Sequence, residues 1–292
     1  MAAFKVLTVA IIGCCRSQIS KSPTFDIDQR REGSIEAAIA SGILDASSVD
    51  GNIPETEGPI RISHVIATVE TDASRQRVLS SLSRHSQKVD IRLKSENTAA
   101  LQEADVILFS IKSIKRGEIL TEPAAREALR GKLLISVMGG INTSVLHTAI
   151  NGDGAPSDSE CQIVRVMPNL AAQIRQAVSL GTFIPGRATP ENSKITEWIS
   201  SQVGDFQFIP ETHFDIASIL VGCSGSLIML AIDGLLDAAV AEGLKTIRRT
   251  ASAGQEHNRS PWVVDSGWWS FFGYTREDIL TRRQFHSSIA GA

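Results

Sequence analysis

The residues best suited to chemistry lie in two strings that join once the stretch between them is set aside. VLTVAIIGC at 6–14 is a buried strand pattern running into Gly13 and Cys14, and Gly33, Ser34 and Ile35 open GSIEAAIASGIL, an amphipathic helix pattern. Without Cys15–Glu32 the two read as strand, Gly-x-Gly turn and helix, the unit in which backbone N–H groups and a helix N-terminus approach a pyrophosphate. The chemistry implied is dinucleotide binding, with 15–32 as an insertion into the turn. The third glycine of such a loop is replaced by Glu36, a carboxylate close to the phosphates that weakens cofactor binding.

Further candidates fall at strand ends. Glu70 closes the second strand in VETDASRQ, where a carboxylate takes a ribose 2′-hydroxyl and favours NAD. Ser110 and Lys112 end ADVILFSIKS at the carboxyl edge of the sheet, where ribose and nicotinamide would pass. Asn169, an amide directly after a strand-ending proline in RVMPN, is expected to face the same crevice, whereas Arg165 suits a phosphate contact or an ion pair.

These sites need a scaffold, and the chain supplies one. Short β-branched runs at 62–70, 89–93, 105–111, 132–138 and 161–167 alternate with helical patterns at 73–82, 97–103 and 122–129. That alternation predicts a parallel, doubly wound sheet of α/β class. Runs at 180–184 and 205–209 read as further strands at the edge of the same sheet. After Pro210 the texture becomes long helix, which places a domain boundary near 210: a Rossmann-like dinucleotide-binding domain at 1–210 and an all-helical dimerisation and substrate domain at 211–292. From Gln255 the composition shifts again, with aromatic residues crowded into SPWVVDSGWWSFFGY without helical or strand period, and this segment reads as foreign to the fold.

The bulk properties narrow the function. The chain has 292 residues, 42% hydrophobic and 21% charged, with a net charge of −3, enough apolar content for two ordinary domains and no electrostatic footprint for nucleic acid. The six histidines are scattered without a pair at ligand spacing, so no metal is expected. The four cysteines, Cys14, Cys15, Cys161 and Cys223, have no metal spacing and suit a reducing compartment, the cytoplasm. Glycines and aspartates interrupt Ile216–Leu244, which suits a helix buried between subunits better than lipid, so no membrane partner is expected.

Taken in order, KLLISVMGGIN, RVMPN followed by AAQIRQAVSL, and DIASILVGCSGSLIMLAIDGLLDAAVAEGL resemble the pyrroline-5-carboxylate reductase family over most of residues 5–255 and again over 276–292. The resemblance implies hydride transfer from NADPH, with NADH as the second choice, to the C=N carbon of a small cyclic imino acid in proline biosynthesis. It also implies a homodimer or higher homo-oligomer. Thr71, with Ser74 and Arg75, stands where the family holds an NADP phosphate, and Lys112 matches the lysine of the family's Lys-Pro pair. Gly222 and Cys223 fall in the helix motif that lines the substrate. REDILT and SSIAG flank the family's substrate loop, which makes Thr281 and Ser287 substrate-binding candidates and Ser288 the candidate catalytic hydroxyl that relays the imine proton.

The chain departs from the family in places that matter. RRQFH replaces the glycine-rich part of the substrate loop, bulky side chains standing where backbone must reach a small carboxylate. Ser113 replaces the proline after Lys112. The family continues beyond the position of Ala292 through helices that complete its dimer. Residues 15–32 and 256–275 resemble translated introns or a shifted frame. Two other functions therefore stand beside the first: reduction of a six-membered imine to pipecolate in secondary metabolism, and a non-catalytic homologue acting only as a binding partner.

Overall fold

A computed structural model describes residues 5–13, 34–47, 60–152 and 159–242. The β-branched runs form strands β1 (Lys5–Ile12), β2 (Ile60–Val69), β3 (Val89–Leu93), β4 (Val106–Phe109), β5 (Leu133–Ser136), β6 (Gln162–Pro168), β7 (Ala177–Phe183) and β8 (Gly204–Phe208). Between them lie helices α1 (Ser34–Ala46), α2 (Asp72–Ser81), α3 (Asn97–Glu103), α4 (Arg116–Leu120), α5 (Pro123–Ala128), α6 (Thr143–Asn151) and α7 (Pro190–Ser201). The last described helix is α8 (Glu211–Ala241).

All eight strands share one sheet in the order β3-β2-β1-β4-β5-β6-β7-β8. The strands from β3 to β6 pair in parallel, β7 runs antiparallel to β6, and β8 is parallel to β7. This is a Rossmann-like doubly wound sheet. The turn of direction at β7 follows from chain length: the link from β6 is only a 3₁₀ turn, Leu170–Ile174, closed by Arg175 in a left-handed conformation at φ 58°. A parallel return needs a crossover of about a dozen residues or more, which this link lacks.

The strands alternate their side chains between two cores, as period two requires. Val9 and Ile11 of β1, with Leu108 of β4 and Ile135 of β5, face the layer made by α1 and α7. Ala10 and Ile12, with Ile107 and Phe109, face Leu101, Leu129 and Leu146 from α3, the end of α5 and α6. Burial on both faces explains why these strands read as unbroken apolar runs. Helices α4, α6 and α7 stand outside the expected pattern, and α6 and α7 are fixed by caps as well as by inward apolar pairs, Leu146 with Ile150 and Ile195 with Ile199. Asn142 Oδ1 accepts the N–H of Val145 at 2.9 Å, and Thr189 Oγ1 accepts the N–H of Asn192 at 3.2 Å, with Pro190 in the first helical turn.

The chain divides into two units between Val221 and Gly222, inside α8. The expected boundary near 210 lies at the start of that helix. Its first turns belong with the sheet because Phe214 is buried and because Arg165 of β6 donates to Glu211 Oε1 and Asp215 Oδ1, both at 2.9 Å. Over Glu211–Leu236 the helix is long and apolar enough, by length and composition alone, to cross a membrane. In the second unit Leu227, Ile228, Leu230 and Leu235 are exposed along it. The aromatic segment after Gln255 and the rest of the second unit beyond Glu242 lie outside the described residues.

Candidate functional site

The strand order reverses between β1 and β4, and a doubly wound sheet opens a crevice at the carboxyl ends of its strands at such a point. A cleft of about 430 Å³ lies there, within the range of small-molecule and cofactor sites. Four of the expected residues line it: Gly13 after β1, Glu70 after β2, and Ser110 and Lys112 after β4. Gly13 is held at φ +85°, and a Cβ on it would lie 2.7 Å from Ile111 Cγ2 and 3.0 Å from the carbonyl oxygen of Ser110. Only glycine lets the turn pass this close to the end of β4. The Gly13 N–H donates to Thr68 Oγ1 at 3.3 Å, which ties the turn to β2.

Charge is concentrated at the end of β2. Glu70 Oε1 receives Lys115 Nζ at 3.0 Å and Lys94 Nζ at 3.5 Å. The two lysines follow β4 and β3 respectively, so three strand ends converge on one carboxylate. Neither lysine was marked by a motif. Their signal was position alone, since each falls just past a strand end on the edge where ligands bind.

Glu36, in the first turn of α1, accepts a hydrogen bond from Ser110 Oγ. Glu36 thus faces the end of β4. Ser113 Oγ, at the position of the family's proline, donates to the carbonyl oxygen of Gly139 at 2.6 Å and links the β4 edge to the loop after β5.

Three expected cofactor residues sit apart from the residues that line the cleft. The Thr71 side chain caps α2, accepting the N–H of Ser74 at 3.2 Å and donating to Ser74 Oγ at 3.1 Å. Ser74 itself is fully buried. Ile35 packs against the core beneath α1, as an apolar residue on that helix's inner face must. Asn169 follows β6, but its Oδ1 accepts the N–H of Val178 at 3.3 Å, which turns the amide toward β7. Ser34 is the first residue of α1. Gly222 and Cys223 are exposed on α8 in the second unit. Cys14, Gly33, Thr281, Ser287 and Ser288 lie outside the described residues.

Arg165 resolves its two readings in favour of an ion pair. It is 3% exposed, bonded to Glu211 and Asp215, and its guanidinium carbon lies 4.3 Å from the centroid of the Phe214 ring. Cys161 is a core residue whose thiol burial pushes up to about 12, which removes it as a nucleophile. A larger cavity of about 640 Å³ opens at the opposite, amino-terminal edge of the sheet beside Leu7, Leu133 and Gln162. Its charged groups are engaged within the fold, Lys5 with Glu191, Arg187 with Glu160, Lys132 on the carbonyl oxygens of Leu101 and Gln102 and Asp105 on the N–H of Thr8, so it is not the candidate.

No family model matches the chain. A pyrroline-5-carboxylate reductase of Lophium arboricola is 31% identical over 273 residues, covering 89% of this chain and 78% of the relative. The Δ1-pyrroline-5-carboxylate reductase kk1I of Curvularia clavata is 29% identical over 300 residues, covering 98% and 92%. Among solved structures, the Plasmodium falciparum pyrroline carboxylate reductase with NADP bound matches with a TM-score of 0.55 and 22% identity, over 82% of this chain and 71% of that one. The Streptococcus pyogenes 1-pyrroline-5-carboxylate reductase matches with a TM-score of 0.57 at 18% identity, over 82% and 72%.

Proposed function

The chain belongs to the pyrroline-5-carboxylate reductase family, oxidoreductases acting on CH–NH bonds, and from that premise we propose that it reduces 1-pyrroline-5-carboxylate to L-proline. The observation that carries the reading is the cleft at the β1/β4 switch point, built around a glycine that a Cβ would block. Reduced nicotinamide dinucleotide, NADPH first and NADH second, supplies a hydride to the imine carbon when bound. The residues present fit its adenosine half, since Gly13 lets backbone approach and Glu70 and Lys112 offer groups of both signs at the strand ends. The NADP bound in the Plasmodium falciparum relative supports the same choice.

Each part of the chain then takes a role. The sheet domain binds the dinucleotide through Gly13, Cys14, Gly33, Ser34, Glu70, Ser110 and Lys112, whereas Ile35, Thr71 and Asn169 serve the core, the α2 cap and the β7 contact. The helical part holds the imino acid through Gly222, Cys223, Thr281 and Ser287, and the Ser288 hydroxyl holds the proton that the imine nitrogen receives. The exposed leucines and isoleucines of α8 are covered by a second copy of the chain, an apolar stripe of the kind that a dimer buries. This assigns the helix to subunit contact within a cytoplasmic homo-oligomer, and sedimentation velocity checks it, a monomer being the contrary result.

One observation favours a second reading. Glu36 holds a carboxylate beside Ser110, on the side where phosphates approach, and a copy with this loop suits a non-catalytic homologue. Oxidation of NADPH and NADH, measured side by side with the five-membered and six-membered imine carboxylates, separates the cases. Turnover of the five-membered ring supports the proposal, and turnover of only the six-membered ring makes the product pipecolate. Absence of turnover, together with absence of NADPH binding at millimolar cofactor, leaves the non-catalytic homologue.

A further inference from the structure

The carboxylate at the end of β2 is held by two ammonium groups from different strand ends. Lys94 belongs to the turn after β3 and Lys115 to the turn after β4, and both reach the same oxygen, Glu70 Oε1, at 3.5 and 3.0 Å. The Glu70 side chain is 28% exposed, while Lys115 and Lys94 are 38% and 59% exposed, so the lysine heads stand in solvent contact above a half-buried acid. All three line the cleft at the switch point.

A carboxylate alone at this place accepts a hydrogen bond from a ribose 2′-hydroxyl and repels a 2′-phosphate. Two ammonium groups on that carboxylate change the balance. They compensate its charge, and each carries three N–H donors that a dianionic phosphate engages more strongly than a monoanionic carboxylate does. The two hydroxyl groups directly after β2, Thr71 and Ser74, are joined to each other in the cap of α2, and Ser95, next to Lys94, lines the cleft. The remaining acids of the cleft lie further along its wall, on and beyond α4, and Glu122 is engaged by the Thr98 hydroxyl at 3.1 Å.

We propose that Lys94 and Lys115 are the ligands of the 2′-phosphate of an adenine dinucleotide, and that Glu70 competes with that phosphate for them. In the 2′-hydroxyl form of the cofactor the lysines stay on Glu70, and its carboxylate accepts from the ribose. In the 2′-phosphate form they transfer to the phosphate. Cofactor choice in this chain is thus set by three side chains, Lys94, Lys115 and Glu70. The inference rests on the dinucleotide reading above, and its test is built to fail separately from it.

Binding of 2′,5′-ADP and of 5′-AMP to the full chain, measured by calorimetry, isolates the 2′ position without any turnover. The wild type is expected to prefer 2′,5′-ADP, and the preference should fall as salt is raised. In the doubly substituted Lys94→Gln, Lys115→Gln chain the preference should drop by about tenfold or more while 5′-AMP affinity holds. Glu70→Gln should raise it several-fold, and Lys115→Arg should keep it. A preference that survives in the double variant, or an equal loss for both nucleotides, overturns the assignment. NADPH and NADH titrations of the wild type decide the underlying reading: binding of both with no lysine effect at the 2′ position defeats this inference alone. Binding of neither defeats the reading and the inference together.

Discussion

Arg165→Met should be among the most damaging single substitutions in the sheet unit, and its cost can be built from the structure. The guanidinium is 3% exposed and bonded at 2.9 Å to both Glu211 and Asp215, and it sits over the ring of Phe214. Methionine keeps the volume and loses the charge, which leaves Glu211 facing the sheet with its Oε2 already buried and unpartnered. Breaking a buried pair from one side costs about 3–5 kcal/mol, and for a unit of this size each kcal/mol lowers the melting temperature by about 2–4 °C. The expected loss is therefore about 6–20 °C. The two acids should not behave alike. Glu211 is 21% exposed and also accepts the N–H of Thr143 at 3.2 Å at the start of α6, whereas Asp215 is 79% exposed. Asp215→Asn should cost about 0–1 kcal/mol, as exposed pairs do, and Glu211→Gln clearly more. The paired change Arg165→Met with Glu211→Leu should recover much of the single loss, because no buried charge is then left alone. Urea titrations followed by circular dichroism read all four variants. If Asp215→Asn costs as much as Glu211→Gln, or if the paired variant loses the sum of its parts, burial is not what makes this ion pair matter.

Other consequences are simpler to check. Gly13→Ala forces a left-handed alanine and a Cβ 2.7 Å from Ile111 Cγ2, so stability should fall by about 2–4 kcal/mol in chemical denaturation; a loss under 0.5 kcal/mol would contradict the close approach. Glu36→Gly should tighten NADPH binding by about two- to fivefold in a fluorescence titration, the size of a charge effect at a helix N-terminus; unchanged affinity would mean that the carboxylate does not face the phosphates. Burial raises the Asp45 carboxyl, but hydrogen bonds from Arg175 and His85 outweigh it and hold the group below its usual 3.8. A carboxyl lowered on folding stabilises above its unfolded value and loses that contribution as pH falls through the folded one. Asp45→Asn should accordingly flatten the acid limb of stability below about pH 4, and an identical limb in wild type and variant would exclude the contact.

The central parallel strands were legible in the sequence because they are buried on both faces, so that β1, β2, β4 and β5 carry runs of Val, Ile, Leu and Ala that no surface helix tolerates. The cleft's glycine and the strand-end residues Glu70, Ser110 and Lys112 were legible for a related reason: the edge where a doubly wound sheet binds is fixed by topology, and topology was readable. Helices α6 and α7 carry their own signals, since Asn142 and the Thr189-Pro190 pair cap them and Leu146 with Ile150, and Ile195 with Ile199, stand four residues apart on their inward faces, but each pair is too short a repeat to stand out in the sequence. The partners of each charge were beyond reach. Lys94 and Lys115 acquire meaning only when β3 and β4 place them around Glu70. Arg165 could not be assigned until α8 brought Glu211 and Asp215 back to β6.

The stretch 14–33 separates what the fold needs from what the cofactor needs. β1 is held by its pairing with β2 and β4, and α1 by its apolar face on the sheet, so neither depends on a short connection between them. Lengthening a turn from two residues to about twenty costs only about 2 kcal/mol of closure entropy, which the burial of Ile39, Ile43 and Leu44 readily exceeds. Phosphate binding in a dinucleotide fold has no such tolerance, because it takes backbone N–H groups at fixed positions in the turn between the first strand and its helix. Excising residues 15–32 should therefore leave the sheet unit's stability within about 2 kcal/mol of the parent in urea while tightening NADPH by a larger factor than Glu36→Gly does. If excision unfolds the sheet, the stretch is part of the structure, and Gly13 and Gly33 were never neighbours in one turn.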